Sequence, residues 1–239
     1  MFELAFDEDA ARLTLNRPAA RNAFAIAGWD RLAETLDEAE RSAPRLLEVT
    51  GAGGVFCAGA DLSEFASLRD DAAATARFRL AMRRALDTLR AFPAPTAALV
   101  DGACYGAGVA LAMACDLRVA APGSRFAITP ALMGISYPQE DVHRLVELVG
   151  PSQASRLLFS GEAIDAAEAR RIGLIDMIGE WEGLRSAILA NDRASLATLK
   201  RGISLAARGV RSDEEQDRDF DALFASDALA TRLAGRRRG

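Results

Sequence analysis

The period of apolar and polar positions changes along the chain, and those changes lay out its elements. Met1–Phe6 and Ala11–Leu15 alternate with period two, like strands around a turn at Asp7-Glu8-Asp9. Pro18 and its polar neighbours make LNRPAARNAF (Leu15–Phe24) a loop. Ile26, Trp29, Leu32, Ala33 and Leu36 then recur at i, i+3, i+4 spacing, predicting an amphipathic helix over 25–41. Leu46–Val49 reads as a strand ended by Gly51–Gly54, and VFCAGADL (Val55–Leu62) returns to small and apolar residues. A long helix is expected over 72–91, with Phe78, Ala81, Met82, Ala85 and Leu89 on one face. Phe92-Pro93-Ala94-Pro95 closes it before a buried strand at Ala97–Val100.

Gly106–Cys115 is apolar on every side, the mark of a helix sunk in the core of a soluble protein. Leu117–Ala120 and Arg125–Ile128 read as strands and Thr129–Asp141 as irregular. Val142–Val149 reads as a helix stopped by Gly150-Pro151, with short helices at Ser152–Phe159 and Ala163–Arg171. Beyond about 180 the pattern is helical only, over 182–190, 193–208, 213–224 and 226–235. The expected organisation is an α/β body over 1–180 with a strand–strand–helix rhythm, then a helical region over 181–239 that caps the body or packs on a neighbour.

Composition narrows this picture. Half of the 239 residues are hydrophobic and evenly spread, which excludes disordered and fibrous classes. No apolar run reaches the roughly 18 residues of a membrane span and no basic-then-apolar leader opens the chain, so a cytoplasmic location without membrane contact is expected. A net charge of −5 disfavours nucleic acid as a partner, and Arg236-Arg237-Arg238 reads as a solvated tail. Cys57, Cys104 and Cys115 are odd in number and lack zinc spacing, so reduced thiols are expected. The single histidine, His143, leaves no His-rich metal site and makes any Ser-His-Asp triad depend on it alone.

Two glycine-rich segments remain. Gly51–Gly59 lacks the Lys-Ser/Thr of a phosphate-binding loop, and Gly102–Gly108 lacks G-x-G-x-x-G with its acidic follower. Each instead follows a strand and opens a helix. Gly106-Ala107-Gly108 leaves the first N–H groups of the central helix bare, at the end the helix dipole makes positive. Small residues there serve close packing or an anion, and one such stretch does not separate the two. Two such loops converging would present two N–H groups to one oxygen, as an oxyanion hole does.

LNRPAARNAF, GAGGVFCAGADL, DGACYGAGVALAMACDLRVA and FAITPALMGISYP together resemble the four signature regions of the crotonase superfamily, the enoyl-CoA hydratase/isomerase family. GEAIDAAEARRIGLID (Gly161–Asp176) is similar to the family's lead into its C-terminal helices. The resemblance implies a spiral of ββα units with a C-terminal helical region, assembled as a homotrimer or as paired trimers. It implies an acyl-CoA thioester as substrate, coenzyme A being part of that substrate and no other cofactor tightly bound. The oxyanion donors would be the N–H groups of Ala60 and Ala107. Arg21, Ala23, Ala58, Gly59, Asp61 and Leu62 would lie along the CoA nucleotide and pantetheine, and Tyr105, Gly106, Ala110 and Pro130 would complete the binding set. Asp61 reads equally as a helix N-cap, and Arg21 as a solvated loop arginine.

The chain departs from the family pattern at the acid/base positions. Family hydratases carry glutamates where this chain has Ala110 and Pro130, and neither residue can move a proton. The segment through Tyr137 resembles the decarboxylating branch, which has a tyrosine at this place. Tyr137 is therefore the first candidate for proton donation or for positioning a carboxylate, its alternative being a packing residue with a satisfied hydroxyl. Glu140 and Asp141 follow as candidates, or as a charged first helical turn. Three functions stay open: an enzyme stabilising a thioester enolate, by hydratase/isomerase-like or malonyl-type decarboxylating chemistry; an acyl-CoA-binding protein whose chemistry has decayed; and a structural or RNA-interacting member, which the charge disfavours.

Overall fold

The computed structural model describes residues 1–7 and 9–236. Glu8 of the expected turn and the arginines at 237 and 238 lie outside the described residues. In chain order the elements begin with β1 (Phe2–Asp7), β2 (Ala10–Leu15), α1 (Gly28–Arg41) and β3 (Leu46–Gly51). The next are α2 (Phe65–Arg69), α3 (Ala72–Arg90), β4 (Thr96–Val100), β5 (Ala103–Tyr105) and α4 (Ala107–Ala114). They continue through β6 (Leu117–Ala120), β7 (Arg125–Ala127), α5 (Gln139–Ser160), β8 (Ile164–Asp165), α6 (Ala166–Arg171) and β9 (Met177–Ile178). The chain ends in α7 (Trp181–Leu189), α8 (Arg193–Ala207), α9 (Glu214–Phe224) and α10 (Asp227–Arg236).

A six-stranded sheet runs β1-β2-β3-β4-β6-β9, antiparallel only at β1–β2, where Phe2 faces Leu15 and Asp7 faces Ala10. A second, three-stranded sheet runs β5-β7-β8. Parallel strands buried on both faces read as near-continuous apolar runs, and β4 and, apart from Glu48, the first half of β3 do so because both faces are covered. Leu47, Val49, Ala98 and Val100 pack with Leu32, Leu36, Leu86 and Leu89 of α1 and α3 and with α4. Leu46, Ala97 and Val119 turn the other way, against Trp181, Leu184 and Ile188 of α7. Each large side chain so buried contributes on the order of 1.5–3 kcal/mol.

Glu48 shares the α7 side of β3 and is almost wholly buried. Its carboxylate is fully paired: Arg12 donates from Nε and Nη2 at 3.0 and 2.8 Å, Trp181 Nε1 at 2.7 Å and Arg185 Nε at 3.1 Å. This closed network fastens α7 to the sheet.

The structure refines two expectations and bears out a third. β5 is an addition to the expected strands, three residues paired with the distant β7 and bridged to Cys57. Gly150-Pro151 interrupts the helix as expected: Gly150 takes the non-helical φ 75°, ψ 163°, and a second helical stretch, counted within α5, begins directly after it. The segment expected as a helix over Ala163–Arg171 opens as strand β8, paired with β7, before Asp165 caps α6. The three cysteines are buried and unpaired, and burial pushes the Cys57 and Cys115 thiols up to about 12.

Candidate active site

The site is built by stitching four sequence segments around the start of α4. Cys57 pairs with Cys104 of β5: the Cys57 N–H donates to the Ala103 carbonyl at 3.0 Å, and the Tyr105 N–H returns to the Cys57 carbonyl at 2.8 Å. The next residues, Gly59-Ala60 and Gly106-Ala107, are thereby carried side by side. At Gly59 (φ 106°) an added Cβ would stand 3.1 Å from the Tyr105 carbonyl oxygen and 3.6 Å from the Ala107 nitrogen. At Gly108 an added Cβ would stand 2.7 Å from the Cys57 carbonyl oxygen, so the backbone of α4 lies against the loop and admits no side chain.

The LNRPAARNAF loop completes the wall. Phe24 donates to the Gly59 carbonyl and accepts from the Asp61 N–H, both at 2.8 Å, while the Ala58 N–H donates to the Arg21 carbonyl at 3.0 Å. Arg21, Ala23, Ala58, Gly59, Asp61 and Leu62 therefore meet in space although they come from two segments. Arg21 is exposed in left-handed conformation (φ 49°, ψ 39°), and Leu62 is exposed. Asp61 N-caps the 3-10 turn Leu62–Glu64, accepting from the Ser63 N–H and hydroxyl, and pairs with Arg17 at 2.7 Å. Those Ser63 and Arg17 contacts hold its carboxyl below the usual range.

Sequence reading missed two scaffolding residues here. The buried Asn22 donates to the Ala52 and Val55 carbonyls at 2.9 and 2.7 Å and accepts from the Arg17 N–H at 2.9 Å. Arg17 also reaches the Ala23 carbonyl at 3.2 Å. Their only signal was their place in a polar loop between two apolar elements.

Gly106 opens α4 with φ 48°, ψ −112°, a conformation that favours glycine, and no side chain caps the helix. Among the described residues neither the Ala60 nor the Ala107 N–H has a backbone or side-chain acceptor. The Gly106 N–H is fixed on the Ala127 carbonyl at 2.8 Å. Ala110, one turn in, is fully buried, and Pro130 opens the 3-10 turn Pro130–Met133 behind Thr129.

Tyr137 packs on the main core, and its hydroxyl donates to the Gly106 carbonyl at 3.0 Å. Burial pushes the phenol well above its usual range, the Asp141 charge adds to this, and the Ala110 N–H beside its oxygen offsets only part. The hydroxyl proton is thus engaged with the main chain. Glu140 and Asp141, neighbours in sequence, part company in space. Glu140 is exposed and faces Arg83 at 3.7 Å, whereas Asp141 is buried and pairs with Arg90 of α3 at 3.1 Å. Burial raises the Asp141 carboxyl against the opposing pull of Arg90. His143 is exposed and pairs with Glu147 on its own helix.

Chemically, the arrangement offers two unpartnered N–H groups of adjoining loops at a helix start, and no charged side chain at positions 110 or 130. No group of three or more His, Cys, Asp or Glu suited to a metal occurs among the described residues, and no described helix is long and apolar enough to cross a membrane.

Comparison with known proteins agrees with this architecture. The family model described as enoyl-CoA hydratase/isomerase matches residues 6–226. The 2,3-dehydroadipyl-CoA hydratase of Escherichia coli is 40% identical over 167 residues, covering 68% of this chain and 63% of that protein. The human enoyl-CoA hydratase domain-containing protein 2, mitochondrial, is 36% identical over 172 residues, covering 71% of this chain and 58% of that protein. The chain thus spans little more than half the length of that human relative. A crystal structure of an enoyl-CoA hydratase/isomerase family protein from Hyphomonas neptunium superposes with a TM-score of 0.92 at 33% identity, covering 99% of this chain and 94% of the other. With the family model spanning nearly every element from β1 to α9, this chain belongs to the enoyl-CoA hydratase/isomerase family and has its crotonase fold.

Proposed function

We propose that the protein binds an acyl-CoA thioester and stabilises its enolate, the thioester oxygen lying between the N–H groups of Ala60 and Ala107. The observation that carries this reading is the close approach of Gly59 to the Ala107 nitrogen, with both N–H groups left unpartnered. Such donors, aimed where negative charge develops, stabilise the enolate more than the ground-state thioester. Arg21, Ala23, Ala58, Asp61 and Leu62 would line the CoA arm.

The second half of the proposal concerns the reaction. Hydration needs an activated water and a proton delivered to the α-carbon, and each such acid or base contributes about 10²–10⁴-fold. Ala110 and Pro130 supply neither. Loss of CO₂ from a malonyl-type thioester forms the enolate without a base, which suits a site keeping its oxyanion donors and lacking carboxylates at those two positions. Calorimetric titration with acyl-CoA, followed by turnover assays on crotonyl-CoA and a malonyl-type thioester, tests the reading. Tight binding with very slow crotonyl-CoA hydration and measurable CO₂ release is expected; brisk hydration would show that the catalytic acids lie elsewhere. Binding with neither turnover nor α-proton exchange in deuterated water would leave an acyl-CoA-binding module.

The assembly proposed is a trimer or paired trimers through α8–α10. Leu199, Ile203, Phe220 and Phe224 stand exposed on these helices, an apolar surface that a second copy would cover. Light scattering at micromolar concentration should give a mass of three or six chains, and a monomer would refute it.

A further inference from the structure

We propose that Tyr137 is a positioning residue that holds and polarises the Gly106–Ala107 peptide from behind, so that the Ala107 N–H faces the ligand as a strengthened donor. This rests on the reading that Ala107 supplies one of the two oxyanion donors.

The inference follows from a single peptide unit. The Gly106 carbonyl and the Ala107 N–H are its two ends, and in a trans peptide they point in opposite directions within one rigid plane. The Tyr137 hydroxyl donates to the carbonyl end at 3.0 Å. The N–H end therefore points away from Tyr137, and the Gly59 backbone lies close to its nitrogen. Tyr137 stands behind the donor rather than beside the reacting carbon.

Three donors converge on that one oxygen: Tyr137, the Val109 N–H at 3.0 Å and the Ala110 N–H at 3.2 Å. The two helical donors are common to any helix start, whereas the phenol is a third donor supplied by a side chain from outside the helix. Each hydrogen bond to a carbonyl draws electron density toward oxygen and leaves the attached N–H more positive, strengthening it by about 10–30%. The same bond secures a peptide that follows a residue at φ 48°, ψ −112°, where a flip of the plane would swing the N–H out of line. Tyr137 is itself held firmly, since Pro138 starts α5 directly after it and the buried Asp141 ties that helix start to Arg90 of α3.

The test uses butyryl-CoA carrying ¹³C at its thioester carbonyl, read by infrared difference spectroscopy on the whole protein. Binding to the wild type should lower the carbonyl stretching frequency, and Tyr137→Phe should return part of that shift while leaving CoA affinity little changed. Turnover of a malonyl-type thioester should then fall in kcat rather than rise in KM, by less than the roughly 10²–10³ expected for deleting a donor outright. Tyr105 and Tyr137 are the chain's only tyrosines, so 3-fluorotyrosine incorporated in a Tyr105→Phe background labels position 137 alone. This more acidic phenol should deepen the shift relative to tyrosine in the same background, and it carries the test if Tyr137→Phe does not fold. A carbonyl shift unchanged by both substitutions overturns the proposal while the oxyanion reading stands. Absence of any shift in the wild type overturns the oxyanion reading, and this proposal with it.

Discussion

The start of α4 and the starts of α3, α6, α8 and α9 solve the same physical problem in opposite ways. Every helix leaves its first N–H groups without intrahelical partners. α3, α6, α8 and α9 begin on Asp71, Asp165, Asp192 and Asp213, whose carboxylates accept from the N–H three residues on at 2.8–2.9 Å. Their donors are closed and their dipoles neutralised by a charge. α4 shares the lack of a side-chain cap with α1, α5 and α7, but it begins on the buried Gly106, with its backbone against the loop through Cys57. A donor left open in a buried place is costly unless something arrives to use it. The difference separates a helix start closed by its own carboxylate from one whose first N–H stays open, as the proposed ligand site requires.

Making α4 resemble the others should have the largest effect. Gly106→Asp places a carboxylate over the open start, and no atom but the Thr129 hydroxyl lies within 4 Å of the new Cβ. Turnover of an acyl-CoA should fall at least about 10²-fold, the scale of losing an oxyanion donor. Gly106→Ala carries the same strain at φ 48°, on the order of 1–3 kcal/mol, without the charge. The excess loss in the Asp variant, measured by kcat/KM after thermal melts confirm folding, is the electrostatic part. Equal loss in both variants would break the comparison.

The converse change should be milder. Asp192→Ala opens the start of α8 and should cost about 1 kcal/mol in a urea melt, with turnover per folded molecule unaltered. The Ser195 N–H holds the Asp192 carboxyl below its ordinary 3.8 in the folded state. Its stabilisation is therefore complete above 3.8 and is lost as pH falls through the lowered folded value. The difference between wild type and variant should vanish in that acid range.

The smallest effect has the opposite sign. Asp141 is raised above 3.8 because burial outweighs its partner Arg90. The folded state then binds the proton more tightly than the unfolded chain, so this group favours folding as pH falls from the raised value toward 3.8. Across that window the wild type should gain stability relative to Asp141→Asn in paired denaturation curves. A relative loss would mean that Arg90 dominates after all.

Much of the frame was legible in the chain. The all-apolar run at 106–115 gave the buried helix because no amphipathic face was available to point outward, and the period of 25–41 gave α1 because one face had to meet the sheet. The gaps have physical causes. β5 has too few residues to show a period, and its existence depends on β7. Glu140 and Asp141 carry the same charge and differ only in which side of α5 they occupy, so one faces water and the other Arg90. Tyr137 offers two readings from sequence, and the carbonyl its hydroxyl bonds lies 31 residues away, a partner that no local pattern names.

The residue order alone determined the elements, the bare glycine loops and the uncharged residues at 110 and 130, because these are local properties of side chains. Only the tertiary structure decided which peptide groups would meet. A backbone N–H is the same chemical group in every residue but proline, so the pair of open N–H groups at Ala60 and Ala107 has no signature in the identity of either residue. Its position is set by pairings such as Cys57 with Cys104, and by a tyrosine fastened to the far side of the same peptide.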